Sequence, residues 1–144
     1  MKKHLIQAAE RGDAEAQFNL AIMYENGALD SRYADEGDRP EALRWLLAAA
    51  QQGLPRAQFK LAERYAGEVE EDSAVKACGW YLLASANLRG APLQNAQSAY
   101  QRASLRLTPV QVIAVRRFVD DWKTASLAVA AAANEDPETF GAPV

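Results

Sequence analysis

The residues able to carry chemistry in this chain are few and scattered. His4 is the only histidine and Cys78 the only cysteine, and they stand seventy-four positions apart. General acid–base or nucleophilic catalysis needs matched groups held together, and neither residue has a partner at useful spacing. No His or Cys stands at zinc-ligand spacing, and no Gly-rich phosphate loop is present. The densest carboxylate group is Asp30, Asp35, Glu36 and Asp38 around Gly37. Such oxygens suit a hard cation, but the alternating acids of a calcium loop are missing. Arg32 and Arg39 also offset the charge, so the expected role is a solvated loop with Asp38 capping a helix ahead of Pro40. A second acidic run, Glu68 to Asp72, predicts a turn in which Asp72 or Ser73 starts the next helix. Neither a metal nor a cofactor is expected, and the chain is expected not to be an enzyme.

The composition narrows the class further. Sixteen Lys and Arg face nineteen Asp and Glu, a net charge of −3. That balance lacks the concentrated basic face that nucleic-acid binding requires. Hydrophobic residues make up 49% of the chain, but thirty are alanine. Alanine is the strongest helix former and is depleted in strands, which argues against an all-β fold. No stretch approaches the ~20 apolar residues of a membrane span. Met1-Lys2-Lys3 opens like a signal peptide, yet Glu10, Arg11 and Asp13 arrive before any apolar segment, so the start is expected to be a helix and the location cytoplasmic.

Two segments match forty-one residues apart. Ala8-Ala9-Glu10-Arg11-Gly12 returns as Ala49-Ala50-Gln51-Gln52-Gly53, Ala16-Gln17-Phe18 as Ala57-Gln58-Phe59, Leu20-Ala21 as Leu61-Ala62, and Tyr24 as Tyr65. The intervals are those of one helical face. A second pattern follows each copy: Ala42, Trp45, Leu46, Leu47 and Ala49, then Ala77, Trp80, Tyr81, Leu82 and Ala84. The tryptophans lie thirty-five apart, so the first copy carries an insertion between Gly27 and Asp38. Each unit is thus two helices joined by a turn. Gly12 and Gly53 supply left-handed C-termini, Asp13 an N-cap, and Pro55 a first helical position. The alanines at 16, 21, 57 and 62 let helices approach closely, while Leu20, Tyr24, Leu61 and Tyr65 fill the space between them. Each Trp is expected to pack on its own first helix and the next.

The pattern Ala-Gln-Phe-x-Leu-Ala-x-x-Tyr, then Ala-x-x-Trp-x-x-x-Ala-Ala-x-x-Gly, resembles the Sel1-like repeat, a relative of the tetratricopeptide repeat. The resemblance covers about residues 8 to 90. It implies an all-α fold: a short right-handed α–α superhelix of about seven antiparallel helices, with two repeats and capping helices. Ala21 and Ala62 stand where the family often has Gly, and Glu68 where a turn Gly is usual.

One domain is expected over residues 1–133. It comprises an N-terminal half-repeat at 2–12, repeats at about 13–53 and 54–90, and capping helices at 91–133. Gly90-Ala91-Pro92 opens the first cap. Thr108-Pro109-Val110-Gln111 opens the second as a capping box, followed by a stripe of Val112, Val115, Val119 and Trp122 with Phe118 beside it. Residues 134–144, with two prolines and no period, are expected to be a disordered tail.

The resemblance implies binding of a protein or peptide along the concave face formed by first helices. Carried over through Leu20 and Leu61, that face takes Glu15, Phe18, Asn19, Ile22 and Glu25 from the first unit. It takes Arg56, Phe59, Lys60 and Glu63 from the second. Asn19 and Lys60 stand out as polar side chains with no evident packing task. The expected function is a non-enzymatic adaptor or scaffold. A narrower version is an immunity protein neutralising a bacterial effector, and a rival is an enzyme using Glu15, Glu25, Glu63 and Arg56. Weak self-association through exposed solenoid ends is a third expectation.

Overall fold

The computed structural model describes residues 2–25 and 38–134. Within them lie seven helices and no strand: α1 Lys2–Glu10, α2 Ala14–Glu25, α3 Asp38–Gln51, α4 Pro55–Ala66, α5 Glu71–Ser85, α6 Gly90–Ser104 and α7 Pro109–Asn134. The acidic insertion falls on residues 26–37, outside the described residues; α3 begins at Asp38. The expected tail from residue 135 also lies outside them.

The local punctuation follows from residue type. Gly12 and Gly53 hold φ of 97° and 96°, a region where any side chain is strained. Gly12 N–H donates to Ala9 O, and Asp13 N–H to Ala8 O, closing α1. Gly53 and Leu54 repeat this on Ala50 and Ala49 at the end of α3. Asp13 Oδ1 then accepts from Ala16 N–H as the N-cap of α2, and Pro55 opens α4. At α7 the capping box is reciprocal: Thr108 Oγ1 accepts from Gln111 N–H at 3.2 Å, and Gln111 Oε1 from Thr108 N–H at 2.9 Å. The start of α5 differs from expectation. The helix opens at Glu71 after Glu70, which makes no side-chain cap. Ser73 lies buried inside it, donating its hydroxyl to the Glu68 carboxylate at 2.9 Å, so Glu68 reaches forward and relieves Ser73 of a capping role.

Consecutive helices pack antiparallel into a solenoid. Helices α2, α4 and α6 form one row, and α1, α3 and α5 the other. The core is lean in large side chains. Leu20, Leu46 and Leu61 are fully buried, and Ala49, Ala50, Ala57, Ala62, Ala77, Ala84 and Ala96 sit at the helix contacts with at most 0% exposure. Close-packed interiors need such small residues where axes approach.

Two buried glutamines tie the rows together. Gln17 Nε2 donates to Ala9 O at 3.0 Å, and forty-one residues on Gln58 Nε2 donates to Ala50 O at 3.1 Å. Each first helix is thereby bonded to the C-terminal turn of the helix before it.

Helix α7 runs over the outer side of α5. Trp80 meets Phe118 edge-on at 5.5 Å and Trp122 at 6.4 Å. Gly79 allows this, because a Cβ there would lie well inside contact distance of the Phe118 ring. Trp80 is therefore buried, whereas Trp45 has no such cover and is half-buried, with Arg44 over its ring at 5.1 Å. The face of α7 that meets α5 is centred on Val115, Phe118, Val119 and Trp122. Val112 stands 50% exposed, one turn before that contact, so the apolar stripe begins later than its spacing implied.

Candidate functional site

The three helices of the α2 row converge on one surface cleft. Phe18 comes from α2, Arg56, Phe59 and Lys60 from α4, Leu88 from the α5–α6 turn, and Pro92 and Asn95 from α6. The cleft has a volume of about 260 Å³. Its walls are two phenylalanine rings, a leucine and a proline, and its polar groups are a guanidinium, an ammonium and an amide. Small-molecule sites typically enclose ~300–1,000 Å³, so this cleft has room for a side chain or two.

The cations are held by residues forty-one and thirty-five positions away. Arg56 Nη2 pairs with Glu15 Oε2, and its guanidinium lies over the Phe18 ring at 5.2 Å. Lys60 Nζ stands 3.8 Å from Glu25 Oε2, and Arg64 Nη1 stands 3.7 Å from Glu25 Oε1. All of these pairs join α2 to α4. Exposed pairs of this kind contribute little stability, about 0–1 kcal/mol each, but they keep the cations on the α2 side of α4. Phe59 packs against Tyr81 of α5, ring centres 5.7 Å apart.

Four of the nine residues carried over from the repeat therefore line the cleft: Phe18, Arg56, Phe59 and Lys60. Glu15 and Glu25 stand behind its cations. Asn19 is exposed on α2 without lining the cleft, Ile22 is half-buried, and Glu63 is exposed. Glu63 lies near enough to raise the Tyr81 hydroxyl pKa, although burial is the larger cause and Arg102 opposes both. Lys60 does have a structural task, its pairing with Glu25. Leu88, Pro92 and Asn95 were not foreseen, because α6 keeps only fragments of the repeat pattern. The helix-opening Gly90-Ala91-Pro92 was the signal that a third first-type helix begins there.

The carboxylates Glu15, Glu25 and Glu63 are not gathered into a group: two face cations and the third is exposed. Among the described residues no cluster of His, Cys, Asp and Glu could hold a metal ion. Cys78 is fully buried, and that burial pushes its pKa to about 11, against a smaller lowering by Arg106. A thiol so protonated is a poor nucleophile. No described helix is long and apolar enough to cross a membrane.

With the geometry in view, two consecutive Sel1 repeat matches cover residues 14–54 and 55–87. The chain belongs to the Sel1 repeat family. Their boundary falls between Leu54 and Pro55, where Gly53 ends one unit and Pro55 opens the next. The chain is also similar to the chitin synthase regulator SKT5 of Saccharomyces cerevisiae, 40% identical over 82 residues. Those residues are 56% of this chain but only 11% of that protein, so the chain spans a small part of the relative it matches. No solved structure matches the chain. Sel1 repeats generally serve as protein-interaction modules, which agrees with a cleft built by helices from successive units.

Proposed function

We propose that this protein is a non-enzymatic adaptor that binds a protein segment in the cleft between α2, α4 and α6. The observation that carries the proposal is the convergence of Phe18, Arg56, Phe59, Lys60, Leu88, Pro92 and Asn95 on one cleft. Helical-repeat proteins bind on surfaces assembled from successive repeats, and peptide recognition needs an apolar anchor site with a few convergent polar groups. The separation of Glu15, Glu25 and Glu63 speaks against a carboxylate enzyme, whose acid and base must share one site. The similarity to a protein named a regulator of another enzyme is in keeping with action through a partner. Cytoplasmic residence and a bacterial immunity role remain narrower versions of this reading.

The test is affinity capture from the source cell with the wild-type chain and with a Lys60→Ala/Asn95→Ala variant, both confirmed as folded by circular dichroism. Proteins retained by the wild type and lost by the variant support the proposal. An identical set from both contradicts it.

A further inference from the structure

Resting on that reading, we infer that the segment bound in the cleft carries a bulky apolar side chain next to an acidic residue. The lining itself supports this. Phe18, Phe59, Leu88 and Pro92 give the cleft apolar walls, and its only charged lining residues are Arg56 and Lys60. The two cations line the cleft, while the carboxylates that face them, Glu15 and Glu25, do not.

Neither cation is consumed by its neighbour. Glu15 engages Arg56 through Nη2, and a guanidinium has five N–H donors in a planar fork. Glu25 lies 3.8 Å from Lys60 Nζ, beyond hydrogen-bond distance, and shares its charge with Arg64. Glu15 and the Phe18 ring both contact the Arg56 guanidinium, so part of the ordering cost of this long side chain is met before the ligand arrives. An incoming carboxylate gains a charge-assisted bond while its apolar neighbour leaves water between the two phenyl rings. A basic segment would instead set like charges face to face, which costs affinity and serves to reject it.

The inference also explains the register of the cations. Arg56 and Lys60 are one helical turn apart on α4, with Phe59 between them. They lie on the same helix face, so the apolar site and both cations reach a short segment together.

The experiment is selection of a phage-displayed random heptapeptide library on the immobilised full chain. Synthetic versions of the selected peptides are then titrated by fluorescence anisotropy. The expected outcome is enrichment of Leu, Ile or Phe beside Asp or Glu, and binding weakened about tenfold or more by Arg56→Gln/Lys60→Gln. A charge-reversed Arg56→Glu/Lys60→Glu chain should select basic neighbours instead; should that variant fail to fold, the Gln pair alone decides. Enrichment of apolar residues without acidic bias, unaffected by the Gln pair, overturns the inference and leaves the adaptor reading standing. Failure to select any peptide overturns the inference too, and the adaptor reading is then decided by the capture experiment.

Discussion

Gln52 donates its side-chain amide to Gln17 Oε1 at 2.8 Å, across thirty-five residues of chain. The bond completes the hydrogen bonding of a buried side chain whose Nε2 already reaches Ala9 O. The second unit lacks its counterpart. Gln58 is 1% exposed and bonded to Ala50 O, but its Oε1 is buried with no partner. Thirty-five residues after Gln52 stands Asn87, one methylene shorter and exposed.

This asymmetry predicts unequal costs for one substitution. Ala9 O and Ala50 O each also accept from a glycine N–H, Gly12 and Gly53 respectively, so neither carbonyl is orphaned when its glutamine is replaced. Gln58→Leu removes an unsatisfied buried acceptor and should change stability by less than about 1 kcal/mol, because an unpaired buried polar group is itself costly. Gln17→Leu removes an amide bonded through both its nitrogen and its oxygen and should cost about 1–2 kcal/mol. Urea denaturation of the two variants measures the difference; equal costs would show that the orphaned oxygen has no energetic weight.

Gly79 predicts a steric effect that opposes helix propensity. Alanine is favoured over glycine inside a helix by about 1 kcal/mol. A Cβ at position 79, however, would collide with the Phe118 ring, and overpacking of that kind costs about 1–3 kcal/mol. Gly79→Ala should therefore lower the denaturation midpoint, and Phe118→Ala added to it should relieve part of the clash. Stabilisation by Gly79→Ala alone would mean that α7 does not rest on α5.

Much of the fold was legible because its signals are local. Gly12, Gly53, Asp13, Pro55 and the Thr108–Gln111 box each act within four or five residues, and each appears where residue type places it. The cross-helix pairs Glu15–Arg56 and Glu25–Lys60 are not local. Mixed charge on a helix surface gives no partner until the helices are docked, so Lys60 read as having no task. The cleft was half legible for the same reason. Phe18, Arg56, Phe59 and Lys60 follow the repeat, while Leu88, Pro92 and Asn95 lie beyond its clear pattern. Ser73 misled because a serine beside acids resembles a cap whether or not its hydroxyl is engaged elsewhere.

Cys78 predicts a pH dependence at the alkaline end. Burial raises its pKa from the ordinary 9.0 to about 11, so the folded state holds the thiol proton over a range in which the unfolded state releases it. The folded-state pKa is the higher one. This contribution is therefore fully present below pH 9 and is lost as pH rises from 9 towards 11. Cys78→Ala should flatten that part of the stability profile, and iodoacetamide should label the native thiol at pH 8 far more slowly than the urea-unfolded one. Fast native labelling would contradict the burial.

The α7 capping box offers a further check. Thr108→Ala removes the acceptor for Gln111 N–H and should cost about 0.5–2 kcal/mol, the usual range for a lost N-cap. Thr108→Ser should retain most of it. Thermal melts of the two variants distinguish a working cap from an incidental contact.

The central claim is that partners bind the cleft of the α2, α4 and α6 row. Its most direct test is photo-crosslinking in the source cell, with benzoylphenylalanine placed at the exposed Ala91, next to the lining residue Pro92 on α6, or at the exposed Gln51 at the end of α3. The expected result is a discrete adduct from position 91, lost in the Lys60→Ala background, and none from position 51. An adduct from position 51 alone would contradict it.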